Sequence, residues 1–169
     1  LKIYGKNIPF KFHPKIRSSE ACFKSSSDAV KLAVETGARL HVFHLSTANE
    51  TKLFSKIPLE EKQITSEVCT HHLWFSDKDY KNKGSKIKWN PAIKTEEDRT
   101  KLWEALNEDL IDVYATDHSP HTIDEKNLPY TESPSGGPLV QHGLLAILDC
   151  VNKGKITLEK FVEKASHNP

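Results

Sequence analysis

The sequence predicts an α/β fold on parallel strands, and two observations carry that prediction. Short segments rich in β-branched and aromatic residues alternate with helical patterns, in the order helix, strand, helix, strand, helix, strand, helix, helix. Such alternation implies parallel strands joined by right-handed crossovers. The first strand segment is also largely apolar on both faces, with Leu40, Val42 and His44 on one and His41, Phe43 and Leu45 on the other. That is the pattern of a strand covered on both sides in a parallel sheet.

Residues 1–26 show no clean period and are broken by Pro9 and Pro14. Ser27-Asp28 opens a helix through Thr36, with Ala29, Val30, Ala33 and Val34 on one face and Gly37 placed to cap its end. A strand is predicted over 39–45. Thr47 and Glu50 then form a capping box that predicts a helix over 48–56. The second strand, 63–69, runs straight into Thr70-His71-His72. The Lys-rich stretch 77–94 reads as loop because of Gly84 and Pro91, and its length points to function or disorder. Thr95 caps the next helix, whose buried stripe is Leu102, Trp103 and Leu106. The third strand is 112–116, DVYAT. A Pro/Gly/Ser loop spans 129–138, Pro138 fits the first position of a helix to about Val151, and a short helix follows Thr157.

At 169 residues, with 37% hydrophobic and 28% charged residues, the chain has the size and composition of one globular domain. A net charge of +1 gives no field to recruit nucleic acid or anionic lipid. No apolar run approaches the ~20 residues of a membrane span. Cys22, Cys69 and Cys150 are far apart without C-x-x-C spacing, which reads as structural thiols in a reducing, cytoplasmic setting and not as a zinc knuckle. Nothing resembles a signal peptide. The chain begins at Leu1 and contains no Met, so a piece of a longer protein is expected.

Chemistry gathers at the strand ends. Asp117, His118 and His121 follow the third strand within five positions, and Pro120 removes a backbone donor among them. His44 closes the first strand; Glu67, His71 and His72 close the second. A parallel sheet brings such ends to one edge. A carboxylate with imidazoles suits a divalent metal or proton transfer near neutral pH. Each group also has an ordinary reading: a surface turn for Asp117 to His121, a satisfied core histidine for His44, a salt bridge for Glu67, a turn for Asn90-Pro91. Three successive strands ending this way are harder to explain by packing, because buried imidazoles and carboxylates need partners. On an extended chain, His71 and His72 are expected to point opposite ways, so that at most one faces a site.

FHLST at 43–47, SEVCTHHL at 66–73, WNPAIK at 89–94 and YATDHSPHT at 114–122, with the closing SHNP, resemble the dihydroorotase family of metal-dependent amidohydrolases. That family is built on a (β/α)8 TIM-type barrel, and a complete barrel needs ~250 residues. The resemblance implies that residues 1–169 are the C-terminal portion of a barrel domain, carrying its last three strands with their helices. The family's H-x-H-x-R motif, bridging carboxylated Lys, further Asp and preceding-strand His are absent from this chain, as is the small β-sandwich. By position, His44 would ligate one metal ion, and Asp117 would ligate the other and shuttle the proton. Asn90 and His121 would contact substrate, together with backbone near Ser135 and Gly136. Glu67 matches a carboxylate that binds an additional zinc in some relatives, although Phe43 stands where those relatives place a cysteine.

The implied activity is the reversible, metal-dependent cyclisation of N-carbamoyl-L-aspartate to dihydroorotate in de novo pyrimidine biosynthesis, with this fragment alone inactive. The implied cofactor is Zn2+, binuclear in the complete enzyme, or another divalent metal. The implied partner is the small-molecule substrate, with no nucleic acid or membrane, and a homodimer is allowed. Two alternatives stand: another cyclic amidohydrolase of allantoinase or dihydropyrimidinase type, and a non-catalytic dihydroorotase-like subunit partnering aspartate carbamoyltransferase. The presence of both His44 and Asp117 counts against the second.

Overall fold

The computed structural model describes Ile3 and residues 5–169; Leu1, Lys2 and Tyr4, part of the aperiodic stretch 1–26, lie outside the described residues. A short helix α1, His13–Ile16, with Pro14 in its first turn, precedes α2, Ser19–Thr36. Ser18 caps α2 by accepting the Ala21 N–H at 3.2 Å, and Gly37 ends it in the left-handed conformation at φ 73°. The helix thus begins at Ser19 and not at Ser27-Asp28. Residues 19–27 hid it because their serines are weak helix formers and present no apolar stripe. Its buried residues are only Ser26 and Ala33.

Strand β1, Leu40–Val42, is followed by β2, Ile64–Cys69, helix α3, Thr70–Trp74, and the single turn α4, Tyr80–Lys83. Then come α5, Glu96–Asn107, and β3, Val113–Ala115. The last elements are α6, Ile123–Lys126, α7, Val140–Asn152, and α8, Leu158–Val162, which runs into a π-helical turn, Glu163–His167. The Thr95 capping box is present at α5, with Asp98 returning the bond.

The three strands lie side by side in chain order, both pairs parallel, with Val42 opposite Ser66 and Cys69 opposite Ala115. Leu45 N–H to Glu67 O at 2.8 Å continues the first pairing beyond β1. The core lies where α5, α7 and α8 pack on the sheet, around Leu45, Val68, Leu102, Leu106, Ile111, Tyr114, Ile147 and Phe161. β1 is not covered on both sides as its sequence suggested. It is the edge of the described sheet, and Phe43 stands 62% exposed.

Two further expectations are corrected. The helix over 48–56 is one 3-10 turn, Glu50–Leu53. The Thr47–Glu50 bonds do form, but the Glu50 carboxylate also accepts Ser26 Oγ at 2.6 Å and so ties the end of β1 to α2. Phe54 then turns extended and enters the core. The Lys-rich stretch is an ordered connection with a small core of its own, made by Tyr80, Ile87, Trp89 and Ile93. α7 starts two positions after Pro138, with Leu139 as its cap residue.

Candidate functional site

His44 and Asp117 leave the same edge of the sheet. Each sits two residues past its strand, β1 and β3, and each has left-handed backbone, φ 41° and φ 48°. That conformation costs a non-glycine residue on the order of 1 kcal/mol or more and persists where the surroundings impose it. The matched strain turns both side chains across the C-terminal edge of the strands, where α/β folds hold ligands.

Between them stands β2. The His44 N–H donates to Glu67 Oε1 at 3.4 Å, while Glu67 Oε2 faces His41 Nε2 at 3.3 Å and the Cys69 thiol approaches Oε1 at 3.9 Å. His41 is oriented in turn by Thr65 Oγ1 at 2.8 Å. The Glu67 carboxylate is therefore engaged by its own neighbours.

His71 and His72 do not point opposite ways, because α3 has already begun at Thr70. Both are buried, with ring centroids 4.2 Å apart. His71 stacks flat on Trp89, at 4.5 Å and 6°, and its Nε2 is 3.9 Å from Asp117 Oδ2. His72 Nε2 donates to the Pro91 carbonyl at 3.1 Å. Burial holds the His71 imidazole well below the usual histidine range and pushes His72 down to about 3. Burial raises the Asp117 carboxyl, and the Glu67 charge adds to this against the opposing influence of His44.

The expected substrate contacts come together on the other side. Asn90 lines a cavity of about 600 Å³ with His44, Phe43 and Arg17, and a second of about 350 Å³ with Ser135, Lys88 and Arg17. His121 Nε2 donates to the Ser135 carbonyl at 3.1 Å. Gly136 has φ 129°, and a Cβ there would lie 2.5 Å from the Ser119 carbonyl, so this approach requires glycine. His118 takes the ordinary role: its Nδ1 accepts the Val140 N–H at 3.0 Å at the start of α7. Arg17, Lys88 and Lys126 are neighbours of the site that no motif in the sequence marks.

Among the described residues no group of three or more His, Cys, Asp or Glu side chains is arranged to hold a metal ion. The donors present nevertheless fit one in part. His44 Nδ1 is buried without a hydrogen-bond partner, and it shares the sheet edge with a raised carboxylate at Asp117. An unpaired imidazole nitrogen and a carboxylate oxygen, one from each outer strand, are both donors that divalent metals accept.

No family model matches the chain. A curated dihydroorotase of Carboxydothermus hydrogenoformans is 35% identical over 157 residues, covering 92% of this chain and 36% of the relative. That of Pyrococcus furiosus is 40% identical over 129 residues, covering 76% and 29% respectively. The chain therefore spans about a third of the length of the curated relatives it matches. Among solved structures, the L-hydantoinase (dihydropyrimidinase) from Arthrobacter aurescens superposes with a TM-score of 0.79 at 27% identity, over 86% of this chain and 33% of that one.

Proposed function

The chain is homologous to about a third of the dihydroorotase sequence, and on that premise we propose that it is the C-terminal portion of a dihydroorotase barrel. The complete enzyme would interconvert N-carbamoyl-L-aspartate and dihydroorotate in the cytoplasm. The observation that carries this is the paired left-handed placement of His44 and Asp117 on one sheet edge. Val140, Leu144 and Leu145, apolar and exposed along α7, support a partial barrel whose remaining surface belongs to further strands and helices.

In this reading His44 would hold one divalent cation and Asp117 another, zinc by family, with the other ligands outside this chain. A divalent cation, when bound, polarises a carbonyl and acidifies water. Asp117 takes a proton from the attacking water and returns it to the leaving ring nitrogen. Its burial suits this, since a carboxyl of raised pKa gives up and regains a proton more evenly than an ordinary surface carboxylate. His71 and Trp89 form a dry, uncharged wall behind it. Asn90, His121 and the Ser135-Gly136 backbone orient the substrate. Glu67 is the residue a third cation would use, in competition with His41.

A second reading, a hydantoinase or dihydropyrimidinase, rests on the 27% identical L-hydantoinase structure. Its rings lack the carboxylate of dihydroorotate. The deciding experiment is hydrolysis of dihydroorotate, dihydrouracil and hydantoin by the full-length, zinc-loaded protein. Turnover of dihydroorotate well above the other two is expected. Preference for hydantoin or dihydrouracil would install the second reading.

A further inference from the structure

Three segments orient the substrate in the reading above, and one nitrogen ties them together. Lys126 ends α6, the short helix that begins just after His121 and its cap residue Thr122. It is buried, at 5% exposed. Its Nζ donates to the carbonyls of Pro134 and Gly136, both at 2.9 Å, and of Lys88, at 3.3 Å. Those bonds use all the N–H groups of the ammonium. Pro134 and Gly136 flank Ser135, and Lys88 stands two residues before Asn90. The segments that carry His121, Asn90 and Ser135-Gly136 therefore meet at a single ammonium.

Further bonds close the junction. The Gly136 N–H donates to the Lys88 carbonyl at 2.9 Å, and the Ser119 N–H to the Gly137 carbonyl at 3.2 Å. Lys88 Nζ donates to the carbonyls of Tyr130, at 2.7 Å, and Ser133. Ser133 Oγ donates to the Lys126 carbonyl at 3.3 Å. The loop 129–137 is thus wound around two buried ammonium groups. It carries Ser135 into the cationic cavity of about 350 Å³ beside Lys88 and Asn90. A Cβ at Gly137 would run into the Trp89 indole, so the loop has no slack against the wall of the site.

An ammonium is a costly group to place there. Burial, with the charge of Lys88, lowers the Lys126 pKa to about 8, from 10.5. Among the described residues Lys126 forms no ion pair. The adjacent Glu125 carboxylate is exposed and accepts the Thr122 N–H at 2.8 Å and the Thr122 hydroxyl at 2.9 Å. A buried charge without a counter-charge is unfavourable, but lysine is the side chain that presents three donors from one atom. We propose that Lys126 is a positioning residue whose ammonium sets the spacing of the Asn90, His121 and Ser135-Gly136 segments, and with it the tightness of substrate binding. This rests on the reading above, in which those segments orient the substrate. Lys126 does not touch the reacting atoms, so its loss acts on binding more than on the chemical step.

The test uses Lys126→Met in the full-length, metal-loaded protein, which keeps an unbranched side chain and removes the donors. Lys62→Met is the control, since it removes a buried ammonium that precedes β2, at the opposite end of the strands. Hydrogen exchange read by mass spectrometry should speed up about tenfold or more over 129–137 in Lys126→Met and stay as in wild type in Lys62→Met. The KM for dihydroorotate should rise about tenfold in Lys126→Met, with kcat within about threefold and bound metal unchanged. Lys62→Met, although less stable, should keep the wild-type KM. Should Lys126→Met fail to fold, Lys126→Gln, which keeps two donors, is read in the same way. A KM within about twofold of wild type, or an equal rise in Lys62→Met, would overturn the proposal. The two readings fail separately. A wild type that prefers dihydrouracil or hydantoin overturns the dihydroorotase reading, and Lys126 is then judged on the KM for that ring. Normal dihydroorotate turnover with a KM indifferent to Lys126 does the reverse.

Discussion

His71 Nε2 lies 3.9 Å from Asp117 Oδ2, too far for a hydrogen bond, and neither ring nitrogen of His71 has a hydrogen-bond partner among the described residues. Asp117 therefore faces a neutral ring and keeps its proton affinity. Replacing it with Asn in the full-length enzyme should lower dihydroorotate turnover by about 10²- to 10⁴-fold, since an amide cannot take the proton. His44→Ala should act differently and lower bound metal, read by elemental analysis. Turnover like wild type in Asp117→Asn would remove its role.

His13 gives the fold a pH dependence of its own. Burial pushes its imidazole down to about 4, from an ordinary value of 6.5. The unfolded chain binds a proton below pH 6.5 that the folded chain refuses until about pH 4. The His13 contribution is therefore full above the upper value and is lost as pH falls between the two, by about 3 kcal/mol in all. Urea unfolding of wild type at pH 7 and pH 5 should show the loss. His13→Gln should be weaker at pH 7 and flatter across the window, and parallel curves for the two proteins would refute the assignment.

Lys62 and Asp112 form an ion pair with side chains 2% and 3% exposed, at the start of β3. Asp112 Oδ2 also accepts the Ser66 N–H at 3.0 Å, and Lys62 Nζ donates to the Asp109 carbonyl at 2.8 Å. The pair clamps the β2–β3 register by side chains as well as backbone. Lys62→Met leaves the buried Asp112 carboxylate without its cation and should cost about 3–5 kcal/mol in chemical denaturation. Adding Asp112→Leu should recover only part, because the Ser66 N–H then loses its acceptor.

The sheet was legible in the sequence because it depends on local features. Short β-branched and aromatic segments specify strands, and Thr95 with Asp98 specifies a helix start. His44 and Asp117 could be paired because strand order alone brings their ends together. What escaped depends on long-range contacts. The first half of α2 has no apolar stripe, and the Thr47–Glu50 box was diverted by a bond to Ser26, 24 residues away. Lys88 looks like an ordinary surface lysine in a basic stretch, and Lys126 like one beside Asp124 and Glu125. Only the carbonyls of residues 130–136, which their ammonium groups gather, show them to be buried.

His121 lies four residues past Asp117 beyond Pro120, and its Nε2 donates to the Ser135 carbonyl, with Ser119 Oγ 3.5 Å away. His121 thus fixes the segment that carries Ser135 and Gly136, and Ser135 shares the cationic cavity with Asn90. A site built to hydrogen-bond a charged group rejects analogues lacking it far more strongly than an apolar pocket rejects a missing methylene. His121→Ala in the complete enzyme should therefore reduce kcat/KM for dihydroorotate by about tenfold to a hundredfold. Metal content should stay near wild type, because the ring is bonded to Ser135 and is not placed with His44. Preference for dihydroorotate over dihydrouracil, the same ring without the carboxylate, should narrow. The measurement is kcat/KM for both substrates in wild type and variant. A fall in both by the same factor would mean that His121 only holds the loop, and would shift weight to a hydantoinase-type substrate.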